Sequence, residues 1–372
     1  MQAAVALPIL LVPAKAGAAE VDEVGFTLLG YKERDLMKVT EPIAWVHGKI
    51  TDTWDFQVSG LLDIVSGASP EGVSNVSGKP VQVISGASVV DHRKEADVKL
   101  AHHMGALTLG LSGAWSTEED YFSRAFGLQG TYDLNQKNTT LAFGLAKSDD
   151  IVGSSDDPSL HEPRVTREYL FGVTQVLSRT TAVQSTLTYS RGRGWYNDPY
   201  RYTLTFYPPE TGLAPVFYRD TRPGHRDSWS WLNRWRQHFP ELNGTLQVDY
   251  RFFRDDWDIQ GHTLEAAWQQ EVNERWAVRP ALRYYTQRAA RFYSPVVPIV
   301  PPAELSSDQR LAAFGGLSPS LKVIYRMERG VAIEGTAGYS HEAANLRLGG
   351  SGSEAFATLR AAYGLVTVVK TF

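Results

Sequence analysis

Asp255, Asp256, Asp258 and His262 fall within one short stretch of this chain, DDWDIQGH. Carboxylates and an imidazole so spaced suit two kinds of chemistry. Asp256 with His262 could activate a water as a general base, the arrangement of a rim-located outer-membrane hydrolase. The carboxylates together could hold a cation such as Ca²⁺ through hard oxygen ligands, or bridge cations of lipopolysaccharide. A solvated acidic turn is the plainer alternative, and the metal, if any, stays open.

Other candidates are weaker. Glu118, Glu119 and Asp120 read as an acidic surface group. His102, His103 and Met104 have donor types that suit copper, but neighbouring residues of a strand point to opposite faces. His102 and His103 therefore cannot chelate one ion together. No Gly-rich phosphate loop, GxSxG elbow or HExxH motif occurs, and no cofactor is expected.

A third set is spread along the chain. Asp249, Arg251, Arg279, Arg283 and Glu334 occupy the polar positions of alternating segments. Arg234 and Arg236 share a face opposite Trp229, Trp231 and Trp235. Arginines facing carboxylates inside a pore create a transverse field that favours charged or zwitterionic solutes. The same residues could instead pair and stiffen a narrow lumen.

The elements that must carry these residues are strands. Period-2 alternation recurs from end to end, as in Leu246, Val248, Tyr250 and Phe252 against Gln247, Asp249 and Arg251. The segments run about 10–14 residues, longer than the usual strand of a globular sheet and suited to tilted membrane-spanning strands. Tight turns fall near Thr51-Asp52, Gly105-Ala106, Asn135 to Asn138, Ser178 to Thr180, Leu242-Asn243, Asn273 to Arg275 and Glu328 to Gly330. Between them lie long polar segments at about 67–89, 149–166, 193–225, 291–315 and 344–354, with short links near 118–121 and 256–261. Short turns on the periplasmic side and long loops outside are the pattern of bacterial barrels.

This predicts an all-β, transmembrane, antiparallel up-and-down barrel of about 16 strands, with 14 to 18 allowed. Its last strand ends at Phe372, with Lys370 interrupting the apolar face of Val366 and Val368. Trp54, Trp276 and Phe239 near the turns, with Trp115 and Trp257 at the other strand ends, are expected at the headgroup levels. The loop at 193–225 holds Trp195, Tyr196, Tyr200 and Tyr202 among several arginines, so it is expected to narrow the mouth or cover it.

Residues 3–13 (AAVALPILLVP) form an apolar core followed by small residues, and residues 1–19 are read as a signal peptide. The barrel domain is then 20–372, exported to the bacterial outer membrane. A net charge of −4, from 37 basic and 41 acidic residues, argues against nucleic acid as a partner. The absence of cysteine excludes disulfide staples, thiolate metal sites and a cysteine nucleophile. Expected partners are outer-membrane lipid and lipopolysaccharide, with the barrel-assembly machinery during biogenesis.

Several segments resemble the DUF3570 family of uncharacterised exported bacterial proteins. They are Tyr31-Lys32-Glu33 with Asp35, DIVSGASP from Asp63 to Pro70, Ile84 to Ala87 with Asp91 and Arg93, and STEEDY from Ser116 to Tyr121. Further on come Asn138 to Leu141, Gln175 to Arg179, Asp198-Pro199-Tyr200 and the long stretch from Tyr250 to Tyr293. The resemblance implies an outer-membrane barrel. It also implies that the gene is encoded beside those of a flavin transferase, a thioredoxin-like protein and a small lipoprotein, hence a role in an envelope redox or flavinylation system, and it supplies no catalytic residues. Three functions follow as expectations: a channel for small polar or charged solutes, a scaffold that docks a periplasmic or surface redox lipoprotein, and a rim hydrolase.

Overall fold

The computed structural model describes residues 23–372 apart from 35–36, 68–69, 77–78, 85–88, 205–215, 298–300 and 355; side chains are described outside 67–91 and 204 as well. The expected signal peptide over 1–19 lies outside the described residues.

Sixteen antiparallel strands close into one barrel. They are β1 (Glu23–Glu33), β2 (Met37–Thr51), β3 (Trp54–Gly67), β6 (Val89–Met104), β7 (Leu107–Thr117), β8 (Tyr121–Leu134), β9 (Thr139–Val152) and β10 (Glu162–Val176). The circuit continues with β11 (Thr181–Gly194), β14 (His225–Phe239), β15 (Gly244–Asp255), β16 (Gln260–Glu271), β17 (Trp276–Gln287), β18 (Phe314–Arg326), β19 (Val331–Ala343) and β20 (Leu359–Thr371). Two small hairpins stand apart in the loops: β4 (Pro70–Val76) with β5 (Lys79–Ile84), and β12 (Tyr202–Leu204) with β13 (Phe217–Arg219).

Alternation sets the register. Trp229, Trp231 and Trp235 point outward and about half exposed, as do Phe126, Phe171, Leu187 and Leu282. The residues between them face the lumen, where Thr27 and Thr367 share a hydrogen bond of 2.8 Å across the β1–β20 seam. An apolar band on the outside is what hydrocarbon requires, and closure leaves no strand edge unpaired. Among the described residues no helix is long and apolar enough to cross a membrane.

One end of the barrel carries the tight turns. Gly105, with φ of +64°, and Gly330, with φ of +72°, take the left-handed conformation these reversals need. Trp276 stacks on Tyr325 at 4.4 Å near this end. The other end carries the long connections. One of them is shorter than the sequence indicates, because β9 and β10 extend to Val152 and back from Glu162, while the connection from β17 to β18 is shifted to 288–313.

Candidate functional site: a charged lumen beneath a folded cap

Every charged strand residue singled out as a lumen candidate faces inward. Arg234 pairs across with Asp249, and Leu232 with Arg251, while Trp235 and Trp231 take the outer positions. Asp249 lies opposite Glu265, which lies opposite Arg283. Arg279 faces Lys322, and Lys322 reaches Glu334 at 2.5 Å. Arg236 pairs closely with Asp249, which Arg234 also approaches at 3.4 Å. Arg251, Arg279 and Arg283 form no ion pair among the described residues.

A second charged wall was not apparent from sequence. Asp63 pairs across with Arg93, Leu61 with Glu95, and Ser59 with Asp97, all inward. Glu41 joins them from β2, opposite Leu29 of β1. Carboxylates outnumber cations here, Arg93 and Lys99 being the inward bases at mid-strand. In the closed order, β2, β3 and β6 are the second to fourth strands, while β14, β15 and β16 are the tenth to twelfth. In a sixteen-strand circuit these sets lie diametrically across from one another. An acid-rich wall therefore faces an arginine-rich wall. Small inward residues line the strands between, among them Gly110, Ser112, Ala114, Ala125, Gly127 and Ala142.

Above the lumen, the segments at the loop end fold into a cap with its own core. Trp257 is 0% exposed. Its ring meets Phe292 edge-on at 5.1 Å and Tyr196 at 5.4 Å, and Arg226 sits 4.5 Å over it. Its indole N–H donates to the His225 carbonyl at 2.7 Å. Trp257 was expected at the headgroup level. It belongs to this core instead, because the turn after β15 folds inward between two neighbouring segments.

The cap is also tied by charge. Asp198, Asp220 and Asp308 meet Arg201, Arg222 and Arg310. Arg222 reaches Asp220 at 2.6 Å and Asp308 at 3.0 Å, and Arg310 reaches Asp198 at 2.8 Å. Burial works to raise the Asp308 carboxyl, but Arg310, Arg201 and Arg222 outweigh it and hold it well below the ordinary carboxylate range. Asp198 is lowered by the same three guanidiniums against its burial. Burial dominates at Asp220 and raises it despite Arg222. Burial also pushes the Tyr293 phenol up to about 12.

The segment between β11 and β14 is the hub of this cap. Thr221 and Leu305 exchange backbone bonds of 2.9 and 2.8 Å. Tyr200 donates to Asp120 and accepts from the Ser155 N–H at 2.7 Å. The β12 strand lies against β4, which rises from the far side of the barrel. The β12 part of this segment thus reaches across the loop end to β4.

The proposed rim cluster does not assemble. Asp255 turns inward and is fully buried, bound to Arg226 at 2.7 Å and capping the Trp257 and Ile259 N–H groups at 3.1 and 2.9 Å. Asp256 approaches His225 at 3.5 Å. Asp258 occupies the turn with φ of +69°. His262 lies opposite Phe252 on the outer face and bonds the Tyr250 hydroxyl at 2.8 Å. Asp255 and His262 sit on opposite faces of the sheet, and Asp256 and His262 each have a different partner. No group of three His, Cys, Asp or Glu suited to a metal occurs among the described residues. His102 and His103 do part as alternation demands: His102 stacks outside on Trp54 at 4.3 Å, and His103 meets Asp55 inside at 2.6 Å.

The DUF3570 family, described as "Protein of unknown function", matches residues 1–162 and 154–363. The chain belongs to this family. No curated protein matches the chain. Among solved structures, CdiB from Acinetobacter baumannii is similar with a TM-score of 0.52 at 7% identity, over 94% of this chain and 60% of that one. A bacterial polysaccharide outer membrane secretin gives 0.52 at 8% identity, over 94% and 98%. The siderophore receptor PirA from Pseudomonas aeruginosa gives 0.48 at 9% identity, over 95% and 62%. The chain spans less than two thirds of the length of PirA and of CdiB. At these identities the likeness is one of fold: this DUF3570 member has an outer-membrane β-barrel fold.

Proposed function

We propose that this DUF3570 barrel is a conduit for small polar, charged or zwitterionic solutes, covered on its outer side by the cap. One observation carries the reading: the acid-rich wall of β2, β3 and β6 stands across from the arginine-rich wall of β14 to β16. Charges of opposite sign on facing walls orient a dipolar solute and retain little of an apolar one. A barrel of sixteen strands has the girth for an aqueous channel, and several inward positions between the walls carry small side chains. Arg251 and Arg283, unpaired at mid-strand, are the residues chosen to set selectivity.

Purified protein in a planar bilayer should conduct in discrete steps. Replacing Arg251→Glu and Arg283→Glu should move the permeability ratio toward cations by about fivefold, on the order of 1 kcal/mol. A barrel that stays silent, both as the full chain and with the Asp308→Ala change that loosens the cap, would remove the reading. The rim-hydrolase alternative draws no support from its motivating pair, since Asp256 approaches His225 and His262 bonds the Tyr250 hydroxyl.

A further inference from the structure

The outer face of the barrel carries an arrangement that conduction does not use. Lys147 on β9 pairs directly across with Arg167 on β10, and Arg167 with Arg191 on β11. All three are exposed and outward, since Leu145, Tyr169 and Tyr189 of the next row also face out. Like charges directly opposite on a sheet repel one another, so such a row is unfavourable unless an anion lies between. The row ends at Asp227 of β14, directly across from Arg191 and itself bound by Arg193, and Asp149 is bound by Lys147 at 2.7 Å. Arg167 and Arg191 make no ion pair among the described residues.

What lies beneath the row specifies the occupant. The next register row toward the turn end is aromatic: Tyr169, Tyr189 and Trp229, with centroids 6.1 and 4.5 Å apart. Below it come Phe171, Leu187 and Trp231, all exposed. From the loop end inward, the face thus reads cation, aromatic, apolar. A phosphorylated glycolipid presents phosphate, sugar ring and acyl chain in the same order. Guanidinium groups suit phosphate oxygens through paired N–H donors, and aromatic rings lie at headgroup level.

The geometry points to a binding site for a phosphorylated lipid of the outer leaflet on the outward face of β9, β10, β11 and β14, its phosphate held between Arg167 and Arg191. The site requires the loop end to face outside, as in bacterial barrels, and is independent of whether the lumen conducts. Elsewhere at this level Lys32 of β1 pairs directly across with Lys38 of β2, a shorter pair of bases without guanidinium groups, and Lys94 stands alone opposite Leu62 and Thr117.

The full chain, reconstituted with phosphatidylcholine and bis-phosphorylated lipid A, tests the site by native mass spectrometry after detergent exchange. The wild type should retain lipid A, and the Arg167→Glu, Arg191→Glu double variant should retain it about tenfold less. Lys137→Glu, the same charge change at a turn, should retain it normally. Arg167→Lys with Arg191→Lys keeps the charge and should fall between wild type and the Glu pair. Equal retention of dephosphorylated lipid A would overturn the proposal, as would unchanged retention in the Glu pair or equal loss in the Lys pair. Displacement of lipid A by equimolar inorganic phosphate would assign the row to the free anion and overturn it too. Heat-dependent mobility on gels confirms that each variant has folded.

Discussion

The cap and the lumen are built from the same residue types to opposite ends. In the cap, three aspartates and three arginines balance, and the carboxylate of Asp308 is wholly buried among them. In the lumen, Asp249 shares two arginines while Arg251 and Arg283 have no ion-pair partner. Buried ions must be matched, because one left alone suffers the full loss of hydration. Half-exposed ions need no match, since water screens them, and the unmatched charge remains available to a solute. Arginine count is therefore uninformative about role; pairing and burial decide it.

Four experiments bear on that contrast, in falling order of effect. Asp308→Ala should weaken the cap by about 3–5 kcal/mol, by leaving buried guanidiniums without their shared carboxylate. Hydrogen exchange over 290–312 should quicken while the strands keep their protection; loss of protection in both would mean that cap and barrel unfold together. Trp257→Phe should cost about 1–3 kcal/mol by orphaning the His225 carbonyl, read as earlier proteolysis of the cap. A double-mutant cycle on Lys322 and Glu334 should give less than about 1 kcal/mol, and a larger coupling would place the lumen pair with the cap pairs.

The smallest effect expected is on acidification. A carboxyl held low in the folded state stabilises it above its unfolded value, about 3.9, and that contribution is lost only as pH falls through the depressed value. Asp198 and Asp308 are both held low. Between pH 7 and about 5 the cap should therefore stay closed. Faster exchange at the lower pH would show that the ion cluster is not what fastens it.

How much of this could be read in advance depended on periodicity. Each of the sixteen barrel strands was legible because strict alternation marks an outer apolar face, and the inward placement of Arg234, Arg251 and Arg283 followed from it. The opposed acid wall was not legible. Glu41, Asp63, Glu95 and Asp97 look like isolated polar positions until closure brings β3 across from β15. The cap was hidden for another reason. Asp198 and Arg310 meet across 112 positions of chain on irregular segments, where no period encodes contact. The DDWD stretch misled because its carboxylates serve a turn and a buried arginine, not the rim.

The seam between β1 and β20 has a bearing on how the molecule comes into being. Thr27 finds Thr367 across 340 positions of chain, so the ring cannot shut while any intervening hairpin is missing. Until then the sheet has two raw margins, each a row of unsatisfied amides ready to join another chain. Hairpins form between neighbours and cheaply; the last zipper is the slow, non-local one. A surface that shields those two margins until they meet is thus a requirement of this topology, and the step most exposed to failure is the final one.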